Sequence, residues 1–189
     1  MRCALRQLKD KFPEFVEKNE EGFKFKIRFL NLSANFKGVF SISEGTPGLA
    51  SLIEFYQEYM KPFKGMGKKH PVIMLVDNDD GAKDLKGKLK DKDFSKPFLY
   101  HLENLYVVPV PLLKGSKNTA IEDLFEKKVL ETKVEGKTFN RNDKIDPKNE
   151  YGKMVFAKKV VEANQEKINF SGFEQILDRL RSVIKDYKH

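Results

Sequence analysis

Two short apolar runs, each followed at once by an acidic, glycine-containing turn and then by a helical pattern, constrain this chain more than any other feature. The first is Val39-Phe-Ser-Ile-Ser43 leading into Glu44-Gly45, and the second is Val72-Ile-Met-Leu-Val76 leading into Asp77-Asn-Asp-Asp-Gly81. Runs of this length and β-propensity, punctuated by turn residues, predict strand, turn and helix in succession. After the first turn, Leu49, Leu52, Ile53, Tyr56 and Met60 fall on one helical face, with Thr46 as N-cap and Pro47 at the first helical position. The helix is expected to run to about Pro62, giving a βαβ unit. In an open parallel sheet such turns lie at the carboxyl ends of the strands, where ligands bind. If the two strands are neighbours, Glu44, Asp77 and Asp79 converge. Three carboxylates within about 4 Å would repel by roughly 4 kcal/mol per pair at an effective dielectric near 20. A divalent cation relieves that repulsion, and Mg²⁺, which takes one or two carboxylates and completes its shell with water and phosphate oxygens, is the natural choice.

The other metal and cofactor chemistries find less in the sequence. One cysteine (Cys3) and three histidines (His70, His101, His189) supply neither a cysteine-rich zinc module nor a disulfide framework. An EF-hand starting at Asp77 needs Gly at its sixth position and Glu at its twelfth, where this chain has Ala82 and Lys88. Neither a Gly-x-x-x-x-Gly-Lys phosphate loop nor a Gly-x-Gly-x-x-Gly after a strand occurs. The Asp77 loop is also similar to the aspartate loop of haloacid-dehalogenase-like phosphatases, although those usually carry Thr or Val where Gly81 stands. With 189 residues and 16 phenylalanines there is material for an ordinary core. There is no bilayer-length apolar stretch and the N-terminal segment is amphipathic and charged, so a cytoplasmic, non-membrane protein is expected. A formal net charge of +8 suits a polyanionic partner. Lysines gather at positions 64–69 and 83–96, on both sides of the Asp77 loop, and Lys64, Lys68, Lys69, Lys83 and Lys86 are candidates for backbone contacts to nucleic acid.

Along the rest of the chain, an amphipathic helix is expected over about residues 1–11, broken by Pro13, and Phe23-Lys-Phe-Lys-Ile-Arg-Phe29 alternates as an edge strand. Residues 82–89 predict a short helix, Leu99-Tyr-His a strand, and Leu105-Tyr-Val-Val-Pro-Val110 another, with Pro109 and Pro111 placing it at an edge or marking its end. Ala120-Ile-Glu-Asp-Leu-Phe125 reads as a short capped helix carrying Glu122 and Asp123, and residues 129–139 as a hairpin turning at Glu135-Gly136. After a polar loop at 140–149, helices are expected at about 150–163 and 172–187, the second with Phe173, Ile176, Leu177, Leu180, Ile184 and Tyr187 on one stripe.

The ordered pair, strand-Glu-Gly-helix followed by strand-Asp-x-Asp-helix, resembles the Toprim domain shared by topoisomerases, bacterial primases and a set of nucleases, over roughly residues 36–111. Ala120-Ile-Glu-Asp-Leu-Phe125 resembles the acidic helix of the overcoming-lysogenization-defect nucleases. Tyr151-Gly-Lys-Met-Val-Phe-Ala157 with Phe170-Ser-Gly-Phe173 resembles the tail of that group. The whole chain, including Leu30-Asn-Leu-Ser-Ala-Asn-Phe36, resembles the C-terminal Toprim effector fused to some retron reverse transcriptases. These resemblances imply an α/β, Rossmann-like, mostly parallel sheet flanked by helices with a C-terminal hairpin and two-helix extension. They divide the chain into a linker helix and edge strand (1–34), a Toprim core (35–115) and an extension (116–189).

For chemistry, the resemblance implies a nuclease that hydrolyses RNA, including structured RNA such as tRNA, or DNA with Mg²⁺ or Mn²⁺, using two ions. Asp77 and Asp79 would hold one ion, Glu44 would bridge or position water, Glu122 would serve the second ion, and Lys153 or Lys158 would neutralise phosphoryl charge. A reverse-transcriptase domain in the same polypeptide and its RNA-linked DNA would be the partners that restrain it as a toxin in anti-phage defence. A non-catalytic nucleic-acid-binding or assembly module of the same shape, and a phosphatase using Asp77 as nucleophile, are the alternatives.

Overall fold

A computed structural model of the chain describes residues 1–30, 45–60, 69–142 and 144–187. These belong to two compact units, one formed by Met1–Phe29 with Glu122–Glu174 and the other by Leu30–Ile121 with Gln175–His189. The expected strand at 39–43, its turn, and therefore the βαβ unit lie outside the described residues.

The second unit is a mixed α/β structure. Strand β3 (Val72–Val76) runs parallel to β5 (Leu105–Pro109), and β4 (Leu99–Leu102) pairs antiparallel with the other side of β5, giving the order β3-β5-β4. All five residues of β5 are buried, as a strand covered on both faces requires. One face, through Leu105 and Val107, joins Met74, Val76 and Leu99 in a core closed by Ala50 and Ile53 of helix α2 (Gly45–Met60) and by Leu85 of helix α3 (Lys83–Lys88). Leu49, Leu52 and Tyr56 pack against that core, so these members of the expected apolar stripe of α2 face inward; the Met60 side chain lies outside the described residues. Thr46 is already inside the helix and is not its N-cap.

The opposite face carries Tyr106, whose hydroxyl donates to Asp186 at 2.8 Å on the C-terminal helix α6 (Glu174–Tyr187). Burial, followed by Asp186, pushes the Tyr106 phenol up to about 12. Arg179 of the same helix is buried and donates to the carbonyl of Pro109 at 2.8 Å. Pro109 is the last residue of β5, so its missing N–H falls where the ladder ends. Among the described strands β5 is central rather than an edge. The stripe of α6 is buried at Ile176, Leu177, Leu180 and Val183, while Ile184 and Tyr187 are half-buried.

His101 in β4 is buried, with Nε2 2.8 Å from Gln57 Nε2 and Nδ1 lacking a partner among the described residues. Burial first, and then the charge of Lys90, lower its pKa below the ordinary value of 6.5. The folded state therefore favours neutral imidazole, and the unfolded chain takes up the proton first as pH falls. This contribution is complete above about pH 6.5 and is lost progressively below it. Urea midpoints at pH 7.5 and 5.5 are expected to fall with acidity in the native chain and to fall less in His101→Phe; equal falls would refute the buried neutral ring.

The first unit begins with helix α1 (Arg2–Gln7), shorter than the expected 1–11, whose Ala4 and Leu5 are buried. A ribbon follows, β1 (Val16–Asn19) antiparallel to β2 (Gly22–Phe25). The expected strand at 23–29 stops at Phe25 because its partner is exhausted. Val16 pairs with Phe25, Lys26 N–H reaches Phe15 O at 2.8 Å, and the chain before Val16 is a turn that includes Pro13. It is one strand of a separate two-stranded ribbon, not an edge of the parallel sheet.

The expected hairpin at 129–139 reduces to its turn. Val134 and Lys137 exchange backbone hydrogen bonds around Glu135 and Gly136, both at positive φ, which is the geometry of a type I′ turn. Val129 and Leu130 instead belong to helix α4 (Lys127–Leu130), and β6 (Thr138–Phe139) pairs in parallel with β7 (Glu150–Tyr151). Helix α5 (Lys153–Val155) follows and widens into a π-helix over Phe156–Glu162, longer than the single-turn bulges usual for this winding. That winding turns Phe156, Val160 and Val161 inward and leaves Lys158 and Lys159 exposed. Phe125 gathers Phe156, Phe170 and Phe173 in edge-to-face contacts at 5.5, 5.8 and 4.8 Å.

Candidate acidic site at the carboxyl end of β3

Strand β3 ends at Val76, and the next four residues form a turn to which a returning segment, residues 110–121, contributes several hydrogen bonds. Val110 N–H donates to Val76 O at 2.8 Å, extending the β3–β5 pairing by one bond. Asn78 and Thr119 then exchange both backbone hydrogen bonds at 2.9 Å, an isolated antiparallel bridge. Asn78 is buried, and its amide donates to Phe94 O at 3.3 Å. A neutral, buried Asn between two aspartates is therefore the residue that fastens the turn.

The acidic side chains take distinct positions around it. Asp77 is half-buried and its Oδ1 accepts from Ile121 N–H at 2.8 Å. Asp79 caps the short 3₁₀ turn Asp80–Ala82, its Oδ1 accepting from Gly81 N–H at 2.9 Å. A Cβ at Gly81 would lie 3.1 Å from that same oxygen, so glycine leaves room for the Asp79 carboxylate. Asp80 is exposed, and Lys83 at 3.2 Å followed by Asn118 at 3.2 Å hold its carboxyl below the ordinary carboxylate range.

These are hard oxygen donors, at least two of them carboxylates fixed by backbone N–H groups, which is the donor type a Mg²⁺ ion takes. Among the described residues no three His, Cys, Asp or Glu side chains are grouped so as to enclose a metal by themselves. Glu44, the third expected ligand, lies outside the described residues, as do Lys64 and Lys68. Lys69 is exposed. Lys83 is paired with Asp80, and Lys86 sits over the Phe94 ring, 4.2 Å from its centre. Both are thus placed beside the acidic turn, but with partners of their own.

Glu122 and Lys153 belong to the other unit and meet there. Glu122 lies in a 3₁₀ turn, Ile121–Leu124, rather than a longer helix. Its Oε1 is 3.5 Å from Lys153 Nζ, and its Oε2 is buried without a hydrogen-bond partner among the described residues. An orphaned buried carboxylate oxygen suits a cation ligand, since leaving one unpaired is costly. Beside it, Asp123 binds Arg141 at 2.6 Å, a pair that no sequence spacing indicated. Of the two candidate lysines, Lys153 is half-exposed and ion-paired, whereas Lys158 is exposed on the π-helix with no partner among the described residues. Replacing Lys153 by Met strands the buried Glu122 charge. Because Lys153 is half-exposed and solvent-screened, the expected loss is only about 1 kcal/mol. Glu122→Gln in the same background is expected to restore the urea midpoint; an additive double variant would show that the two side chains do not interact.

No helix among the described residues is long and apolar enough to cross a membrane. No protein-family model matches the chain, and no solved structure matches it.

Proposed function

We propose that the chain is a metal-dependent nuclease that hydrolyses nucleic-acid phosphodiesters, built on a Toprim-like core and serving as the toxic effector of a retron anti-phage system. The observation that carries this reading is the Asp77–Asp79 turn at the carboxyl end of a strand parallel to its neighbour, fixed by backbone donors. The net charge of +8 supports a polyanionic substrate. The resemblance of the strand-turn-helix pair to Toprim nucleases supports the chemistry.

When bound, Mg²⁺ or Mn²⁺ supplies Lewis-acid stabilisation of phosphoryl oxygens and lowers the pKa of water. Asp77 and Asp79 are assigned to holding the ion, and the Ile121 and Gly81 N–H groups fix one oxygen of each so that the carboxylates are oriented before binding. Glu44 is assigned to positioning the attacking water. Water adds to phosphorus as the bond from phosphorus to the leaving sugar oxygen breaks, and the proton given up by water ends on the departing alcohol. Glu122 is assigned to a second ion through its orphaned oxygen, and Lys153 or Lys158 to countering phosphoryl charge. A reverse-transcriptase domain in the same polypeptide and its RNA-linked DNA are the proposed restraint.

A non-catalytic binding module is the second reading, favoured by one observation: both Asp77 and Asp79 already serve as acceptors for backbone N–H groups, as purely structural turn residues would. Incubating the purified chain with total RNA, single-stranded DNA and double-stranded DNA in Mg²⁺ or Mn²⁺ separates the two. Cleavage of any of these polymers supports the nuclease and identifies its substrate; binding without cleavage supports the module.

A further inference from the structure

The segment between β5 and the Glu122 turn returns across the acidic turn and is held there by hydrogen bonds, yet it keeps both of its leucines exposed. Leu113 N–H donates to Thr119 Oγ1 at 3.2 Å, Ser116 N–H to Leu113 O at 2.9 Å, and Asn118 to Asp80 at 3.2 Å. Gly115, at φ +81°, makes the reversal. Together with the Asn78–Thr119 bridge, these bonds leave the loop little freedom of its own. Even so, Leu112 is 42% and Leu113 39% exposed, whereas among the other described leucines and isoleucines only Leu30 and Ile145 are exposed. Lys114 and Lys117 follow them in the same loop, exposed and with no hydrogen-bond or ion-pair partner among the described residues.

A pre-ordered loop that exposes an apolar pair followed by two cations without partners among the described residues, beside a cluster of carboxylates, matches a strand with adjoining apolar and anionic surfaces. We infer that this loop is the docking element for a single-stranded polynucleotide, Leu112 and Leu113 lying against unstacked base faces and Lys114 and Lys117 on the adjoining phosphates. The inference rests on the nucleic-acid reading above and deepens it by naming the strandedness of the substrate. Leucine serves as an apolar wedge at opened base steps in other protein–nucleic acid contacts. Opening a paired step costs more than approaching a base that is already unpaired, and two half-exposed leucines offer little surface to offset that cost. The charge of the loop is set to attract the strand, and the acidic turn beside it has the charge to repel the backbone unless a cation intervenes.

The test is fluorescence anisotropy with the full chain in chelator, so that binding is read without turnover, using labelled oligo(dT) and oligo(U) and a duplex of the same length. Both single strands are expected to bind more tightly than the duplex. Leu112→Ser with Leu113→Ser is expected to weaken single-strand binding about tenfold with an unchanged salt slope, as loss of apolar contact requires. Lys114→Ala with Lys117→Ala is expected to lower the slope by about 1.4, two phosphates at about 0.7 each for single strands. The loop backbone bonds do not depend on these side chains, so the variants should retain the native melting temperature. Leucine variants that bind like the native chain, lysine variants with an unchanged salt slope, or a duplex bound as tightly as the single strands would overturn the inference. If the loop variants behave as expected but no polymer is cleaved in Mg²⁺, the docking element stands and the nuclease falls; cleavage with indifferent loop variants is the reverse.

Discussion

Replacing Asp77 by asparagine is expected to reduce metal-dependent cleavage at least about a hundredfold while leaving the fold in place. Asparagine keeps a carbonyl oxygen where Oδ1 accepts the Ile121 N–H, so the hook that ties the returning segment to the end of β3 survives. What disappears is the negative charge, and losing one charge-stabilising group in a preorganised site commonly costs 10²–10³ in rate. Asp77→Ala differs in kind, because it also leaves the Ile121 N–H without its acceptor, a penalty of about 1–3 kcal/mol if that group remains shielded from water. The pair therefore separates chemistry from architecture. Steady-state cleavage assays and urea midpoints on both variants should show equal loss of activity and unequal loss of stability. An Asp77→Asn variant that cleaves at the native rate would remove Asp77 from the site.

The largest effect on folding is expected at Gly172. A Cβ there would overlap the carbonyl oxygen of Leu124 and lie 3.2 Å from its carbonyl carbon, and both are backbone atoms with no rotamer into which to retreat. Gly172 sits in the 3₁₀ turn Ser171–Phe173, and its neighbours Phe170 and Phe173 are buried against Phe125, one residue after Leu124. Accommodating alanine means pushing that turn off the aromatic cluster, and overpacking of this kind costs about 3 kcal/mol. Gly87, inside α3, is the control. No atom of the described residues lies within 4 Å of a Cβ there, so Gly87→Ala is expected to stabilise by about 0.5–1 kcal/mol through helix propensity. Urea denaturation of the two variants should move in opposite directions. A Gly172→Ala midpoint equal to the native one would contradict the close approach of the 3₁₀ turn to Leu124.

How much of this was legible in the sequence follows from which interactions are local. The run Val72–Val76 and the stripe on α6 announce themselves by period and composition, and both elements form where those signals place them. The turn at Glu135-Gly136 is equally local, since Gly136 holds positive φ without steric cost, although Glu135 takes up the same region with a Cβ. Partnership is not local. The alternation from Phe23 to Phe29 is a sound strand signal, but strand length is set by the partner, and β1 ends the ladder at Phe25. Likewise nothing in Thr138-Phe139 says that its partner is Glu150-Tyr151 in parallel rather than the segment before the turn. The π-winding after Lys153 is invisible to a 3.6-residue pattern, although it decides which lysines face water.

The site divides along the same line. The acidic residues Asp77 and Asp79 are marked by their place after a strand, whereas what orients them is not. Asn78 reads as one more polar turn residue but is buried, and Thr119 and Ile121 act through backbone groups that no side-chain pattern encodes. The lysines were legible as charge and not as contacts: Lys83 and Lys86 have intramolecular partners, while Lys114 and Lys117, outside the dense lysine runs, have none among the described residues.

The most direct test of the central claim is the metal dependence of turnover on whichever polymer the native chain cuts, measured in one preparation with chelator, after Mg²⁺ is restored, and beside Asp77→Asn in Mg²⁺. The expected result is cleavage that stops in chelator, returns with Mg²⁺ and is absent from the variant. Cleavage that persists in chelator, or that the variant carries out at the native rate, would contradict a metal-dependent nuclease centred on the β3 turn.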